Sequence, residues 1–505
     1  MTNAWSSGYV SDIPYTAGFY ASQSQSLMAL AALLNGIAAR PIRRDEPFHL
    51  CDLGCGMGVT ALIIAASNPA WHVTGLDFMP GHIAAARETA REAGIGNVTF
   101  IEADLKDFAE TSEARQLEPF DAVTAHGVWS WVEPSVQDGI LRLLNAKLNP
   151  GGCFHVSYNT LTGWQTALGL QRLIREVGIR TPASSDRQAA AGVKIARDLA
   201  AAGQVSFGDG FGKTMLDHMA DLPNAYVAHE FMNAHWRPLM HADVAASLAA
   251  AKLEFAGSSR LLNNFPQLIL TEEQRDILAR FDDPGMLELF KDICHPQPLR
   301  TDVFIRGARR LDAIARDAAL SDIVIGLTAP ESAWAFEFDA AGGKAQMAED
   351  FYRPVFARLQ QKGPASLHDI YALPELRGRA RNPAELLGII LGTDQAIILP
   401  NPGAAMDERC MRLNIALLRA QFAAGRGAAQ IHFALPATGH GTTMPNFQGM
   451  ILHEIAANPA ASDPDDMAAR LGIHQSPEQR ADLAERLYQF LQNDAPLLRH
   501  LGFPI

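Results

Sequence analysis

Cysteine is scarce in this chain: five among 505 residues, at positions 51, 55, 153, 294 and 410, with no Cys-x-x-Cys pair. That excludes a disulfide framework and a thiol-redox motif, and fits a reducing cytoplasm. No uninterrupted apolar run approaches the ~20 residues of a membrane-spanning helix. The first residues lack the basic stretch and apolar core of a secretory signal, so the expected location is cytoplasmic. Basic side chains are outnumbered, with 42 Lys and Arg against 55 Asp and Glu and a net charge of −13. Nucleic acid is therefore not expected as the main partner, because phosphate binding draws on Lys and Arg. A cationic target such as a lysine side chain is compatible with this balance. Metal ligands are also missing. His229-Glu230 and His235 stand six apart, whereas a zinc helix needs histidines at i and i+4 to share one face. His440 sits in a Gly/Thr loop with no evident partner.

What the chain does have is concentrated between residues 48 and 58, Phe-His-Leu-Cys-Asp-Leu-Gly-Cys-Gly-Met-Gly. An apolar run ends in Asp52, passes into Gly54, Gly56 and Gly58, and continues as the helical Val59–Ala66. Strand, glycine turn and helix bring backbone amides against a ligand at the carboxyl end of a sheet. The dinucleotide fingerprint requires its third glycine at position 59, and Val59 is there. Asp52 is a poor neighbour for a pyrophosphate and a good one for an ammonium group, which disfavours a nicotinamide cofactor.

Downstream the pattern repeats. Trp71–Asp77 reads as a strand ending in an acid, 25 positions after Asp52, near the ~20-residue offset of a carboxylate that grips ribose hydroxyls. A helix over 80–93, a strand over 98–104 ending in Asp104, a strand over 120–125, a helix over 134–148 and a strand over 153–158 follow. Alternating strands and helices define a doubly wound α/β sheet.

These residues resemble motif I of class I S-adenosylmethionine (SAM)-dependent methyltransferases. The resemblance implies a seven-stranded Rossmann-like sheet whose last strand is antiparallel, SAM as cofactor and S-adenosylhomocysteine as product. The cofactor-binding set it implies is Tyr15, Asp52, Gly54, Cys55, Gly56, Gly58, Asp77, Phe78, Met79, Asp104, Leu105, His126 and Gly127. Asp104 would accept from the adenine amino group. Three further segments carry a second resemblance. They are Asp12-Ile13-Pro14-Tyr15, Tyr158-Asn159-Thr160-Leu161 with Gly163-Trp164, and Ala225–Met232 with Leu253–Gly257. Together they resemble methyltransferases with a regulatory domain, among them bacterial lysine methyltransferases acting on outer-membrane proteins. This implies a protein acceptor, such as a surface protein before export; a homodimer is compatible with it.

A length of 505 residues allows about three domains at ~150 residues each. The expected division is an N-terminal helical lid segment (1–40), a SAM-binding core (41–164), a helical insertion (165–245), the remaining strands (246–315) and a C-terminal winged-helix-like α+β region (316–505). The aromatic N-terminal segment serves equally as a lid over the cofactor or a staple for the first helix. Arg377, Arg379 and Arg381 form a small basic cluster, read as a solvated loop.

Methyl transfer from a sulfonium needs near-attack geometry, and a lysine nucleophile must lose its proton. Trp129, Trp131, Tyr158 and Asn159, with His126 beside them, lie just past the fourth and fifth strands and are the catalytic candidates; aromatic walls steer an alkylammonium by cation–π contact. Protein-lysine N-methylation is the favoured reading. Methylation of a small metabolite and a SAM-binding regulator are the alternatives.

Overall fold

The computed structural model describes residues 8–13, 18–40, 43–423, 430–457, 463–471 and 476–504. A mixed seven-stranded sheet forms its centre: β1 (Phe48–Leu53), β2 (Trp71–Asp77), β3 (Val98–Glu102), β4 (Phe120–Ala125), β5 (Leu148–Asn159), β6 (Leu253–Ser258) and β7 (Leu299–Arg306). The strand order is β3-β2-β1-β4-β5-β7-β6. β1 to β5 run parallel, and β7 is antiparallel to both β5 and β6. This is the sheet expected from the resemblance, with its last two strands where the sequence placed them.

Parallel strands covered on both faces read as near-continuous apolar runs. Leu50, Cys51 and Leu53 of β1, and Val73 and Leu76 of β2, are all buried. β5 starts earlier than its sequence suggests. Asn149-Pro150-Gly151-Gly152 is not a plain turn before the strand. It is an irregular stretch inside it, where the pairing to β4 slips between Phe120 and Ala122 and Gly151 takes a positive φ.

Every residue of the helix Val59–Ser67 is buried. A helix apolar all round needs cover on all sides. The sheet supplies one side and the C-terminal hairpin of Gln430–Leu435 and His440–Pro445 the other. Ser67 donates to the His440 carbonyl at 2.6 Å and Asn68 to the Gly439 carbonyl at 2.6 Å.

After β5 come the helices Leu168–Gly178, Ser185–Ala202, Gly210–His218 and Asn224–Phe231. Their core (Leu170, Ile174, Leu216, Phe231) also buries Val10. The Val10 amide donates to Asn233, and Asp12 accepts from the Ser185 amide and hydroxyl. Val10 and Asp12 of the N-terminal segment are thus tied to the inserted region after β5.

Beyond β7 the chain builds small sheets and helices, the winged-helix-like region of the sequence reading. β8 (Val324–Leu327) is the central strand of a three-stranded antiparallel sheet. β9 (Glu337–Ala340) and β10 (Gly343–Gln346) form a hairpin; β11 (Ala365–Ser366) and β12 (Ala396–Ile398) flank β8. β13 (Gln430–Leu435) pairs with β14 (His440–Pro445). Arg379 pairs with Asp350 at 2.6 Å, and Arg381 lies over the Tyr371 ring, so two members of the basic cluster have local structural partners. No helix among the described residues is long and apolar enough to cross a membrane.

Candidate active site

The glycine turn between β1 and the helix Val59–Ser67 is built from left-handed backbone: Gly54, Gly56 and Gly58 have φ of 68°, 55° and 74°. A Cβ at Gly54 would meet Val128 Cγ2 at 2.5 Å, and one at Gly58 would meet the Phe100 ring at 2.6 Å. At Gly56 the same position faces open space. Asp77 ties the turn to β2. Its Oδ2 accepts from the Gly56 amide at 2.8 Å and its Oδ1 from the Met79 amide at 2.9 Å.

Two adjoining cavities open at the carboxyl ends of the strands. The smaller, about 140 Å³, is lined by Gly54, Asp77, Phe78, Asp104, Leu105, Gly127 and Trp131, among others. The larger, about 460 Å³, shares Tyr9, Gly54, Asp77, Gly127 and Trp131 with it and adds Cys55, Gly56, His126 and Asn159. It extends to residues from the inserted helices and the start of β7, including Trp164, Tyr226, Glu230 and Leu299.

Most of the sequence candidates therefore converge, but in different roles. Gly54, Cys55, Gly56, Asp77, Phe78, Asp104, Leu105, His126 and Gly127 line one or both cavities. Gly58 and Met79 are buried behind the lining. Tyr15 lies outside the described residues. Asp52 does not reach the cavities. Its Oδ1 accepts from Gln23 at 2.6 Å and from Thr124 at 2.8 Å. Burial raises its pKa to about 6, against those two hydrogen bonds. It braces the turn from behind.

The catalytic candidates divide by strand periodicity. Successive side chains of a strand point to opposite faces. Ser157 and Asn159 of β5 line the larger cavity, and Tyr158 between them points away. The Tyr158 hydroxyl donates to Asp302 at 2.6 Å within a buried polar cluster. Trp129 packs in the core beside Leu143 and Phe154, whereas Trp131 lines both cavities. Tyr158 and Trp129 are thus buried outside the cavity lining, while Asn159 and Trp131 line the larger cavity. Asn159 accepts from Trp236 Nε1 at 3.1 Å.

We expect Tyr158→Phe to keep methyl-transfer turnover near wild type. Its cost should fall on stability, roughly 1–3 kcal/mol for a buried acceptor left short of a partner. Thermal melts alongside turnover check this; a large drop in turnover with an unchanged melt would return Tyr158 to the site.

His126 stacks on Tyr20 with centroids 4.1 Å apart, and burial lowers its pKa to about 4. An imidazole so hard to protonate is neutral at physiological pH.

The sequence reading counted Tyr20 only among the N-terminal aromatics that serve as lid or staple, assigned no role at the site to Tyr226 and Glu230, and treated His229 and His235 as a structural pair. Aromatics spaced along a helix look the same whether they pack or line a cavity. Among the described residues no group of three or more His, Cys, Asp or Glu is placed to hold a metal ion.

Residues 45–180 match the family model of a methyltransferase domain. Residues 223–306 match a model described as "predicted methyltransferase regulatory domain". Fold, glycine turn and matched domains define a SAM-dependent methyltransferase with the class I fold. The structure is similar to PKMT2 from Rickettsia typhi in complex with AdoHcy, with a TM-score of 0.69 and 16% identity over 97% of this chain and 99% of that one. In sequence it is 28% identical to an uncharacterised protein of Synechocystis sp., over 75% of this chain and 74% of that protein. An uncharacterised protein of Rickettsia prowazekii is 33% identical over 33% of this chain, which spans 62% of that relative.

The regulatory match has a structural consequence. Its residues supply β6 and β7 of the central sheet and the cavity residues Tyr226, His229, Glu230, Asn233, Pro298 and Leu299. This segment is part of the catalytic body.

Proposed function

We propose that the protein methylates lysine side chains of a protein acceptor. The observation that carries this reading is the wall of the larger cavity beyond the glycine turn. Tyr9, Tyr20, Trp131, Trp164 and Tyr226 surround it, and the Glu230 carboxylate joins them on the side of the inserted helices, with Asp77 on the side of the glycine turn. Aromatic faces attract alkylammonium groups by cation–π contact, and such a wall suits the narrow apolar stem and charged tip of lysine.

The cofactor fits the glycine turn. The Gly56 position is open, so a ligand can lie against the backbone there. The amides at the N-terminus of Val59–Ser67 have no intrahelical partners. Asp77 and Asp104, with Phe78 and Leu105, give the smaller cavity two carboxylates and an apolar slot for an adenosine. When bound, SAM supplies an electrophilic methyl group. The residues of this chain hold the acceptor amine in line, exclude water and relieve it of a proton. The resemblance of the Asp12–Tyr15, Tyr158–Trp164 and Ala225–Met232 segments to bacterial lysine methyltransferases supports the same acceptor. Outer-membrane or surface proteins awaiting export are the acceptor class that this resemblance favours.

The test is transfer of radiolabelled methyl from SAM into a lysate of the source cell, divided into protein and small-molecule fractions. Acid-stable label in protein, recovered as methyl-lysine after hydrolysis, is expected. Label confined to small molecules would replace this reading with a metabolite enzyme, and SAM binding without label in either fraction with a SAM-binding regulator.

A further inference from the structure

Building on the lysine reading, we infer that Glu230, contributed by the regulatory segment, is the residue that binds the acceptor's ammonium group and takes its proton before transfer. Glu230 lies on the helix Asn224–Phe231, within residues 223–306. Its remaining exposure opens onto the larger cavity, which also contains the glycine turn. It acts electrostatically on Tyr9 from the N-terminal segment, behind burial and Asp77, and on Tyr226 from its own helix, behind burial, raising both phenols. These rings and Glu230 therefore form one cluster.

A carboxylate buried in an aromatic wall is costly unless a cation meets it. Burial alone raises the Glu230 pKa to about 7, with no cationic side chain contributing. Such a group can accept a proton near neutral pH. In the step, the ammonium nitrogen gives one proton to the Glu230 carboxylate and becomes a neutral amine. The amine lone pair then forms the new N–C bond as the S–C bond breaks, its electrons remaining on sulfur. Methylammonium product and protonated Glu230 balance the charge. The other titratable groups facing this space are Tyr226 and His229 from the same helix, Tyr9 and Tyr20, Cys55 in the glycine turn, Asp77 at the end of β2, His82 on the helix Pro80–Ala93, and His126 past β4. His126 stays neutral across the relevant window.

The experiment uses the full chain saturated with S-adenosylhomocysteine and two probes of equal shape, n-butylammonium chloride and 1-butanol, titrated by tryptophan fluorescence from pH 5.5 to 8.5. Wild type should bind butylammonium roughly tenfold or more tighter than butanol. Its affinity should rise as pH passes through about 7, where free Glu230 ionises. Glu230→Gln should lose both the preference and the pH dependence while keeping its S-adenosylhomocysteine affinity. Equal binding of butanol by wild type overturns the proposal whether or not the variant folds. So does a Glu230→Gln protein that binds butylammonium as wild type does. The lysine reading is judged separately: methyl-lysine in the labelled lysate with an unaffected Glu230→Gln enzyme sinks only this inference. Label recovered as a methyl ester or ether sinks the acceptor reading itself.

Discussion

Asp302→Ala should lower the melting temperature and urea midpoint more than any substitution on the sheet's exposed edges. Asp302 is fully buried, and its Oδ2 takes the Tyr158 hydroxyl at 2.6 Å, Arg300 Nε at 2.9 Å and lies 3.0 Å from His241 Nδ1. Arg300 also donates to Asp292 at 2.8 Å and to Glu288 at 2.5 Å, and Lys291 closes on Glu288 at 2.6 Å. Removing one member leaves buried charge unmatched, which costs about 3–5 kcal/mol. The cluster joins β5, β7 and the helices His241–Ala249 and Pro284–Cys294. Since Tyr158 pairs with Arg300 and Asn159 with Leu299 in the β5–β7 register, the loss should also loosen the cavity floor.

The pH dependence has a definite sign. Burial alone would raise the Asp302 pKa, but the Arg300 guanidinium and then His241 hold its carboxyl well below the usual carboxylate range. A depressed folded pKa gives stability that is present above the unfolded value, near ~3.9, and lost as pH falls below it. The gap between wild type and Asp302→Ala should therefore be full at pH 7 and narrow as pH drops below about 4. Melts of both proteins across that range decide it. A variant that melts with wild type at pH 7 would mean the cluster adds nothing to stability.

Gly54→Ala should weaken cofactor binding roughly 30-fold or more while leaving a folded chain. Gly54 sits at φ 68°, and its Cβ would strike Val128 at 2.5 Å. Both residues line the smaller cavity. Left-handed backbone costs an alanine roughly 1–2 kcal/mol and overpacking about 1–3 kcal/mol. The free variant can relax its turn, so this cost is restored on binding and converts to a loss of roughly 30-fold or more. Calorimetric titration with S-adenosylhomocysteine measures it. An affinity within a factor of a few of wild type would show that the turn does not set the cofactor's position.

Other expectations turned on which way a side chain faces. Trp129 and Trp131 are two residues apart, yet only Trp131 reaches the cavities, because the chain has left β4 and no strand alternation governs it there. Tyr158 and Asn159 are adjacent on β5, so one of them had to face away. Asp52 was legible as an acid at a strand end; its capture by Gln23 and Thr124, from 29 and 72 positions away, was not.

By itself the sequence determined what depends on local order. Glycines where left-handed turns are needed, acids at strand ends and the alternation of strands with helices specify the doubly wound sheet, its cofactor turn and the positions of its last two strands. Each of those signals lies within some ten residues along the chain, where backbone sterics and hydrophobic periodicity act. Only the tertiary structure decided the acceptor side. The larger cavity gathers Tyr9 and Tyr20, the ends of β1, β2, β4 and β5, Tyr226 and Glu230, and the start of β7. Nothing along the chain marks those residues as neighbours, because packing between distant elements brings them together. That same packing turned Glu230 from an ordinary helix residue into a carboxylate with a raised pKa at a candidate active site.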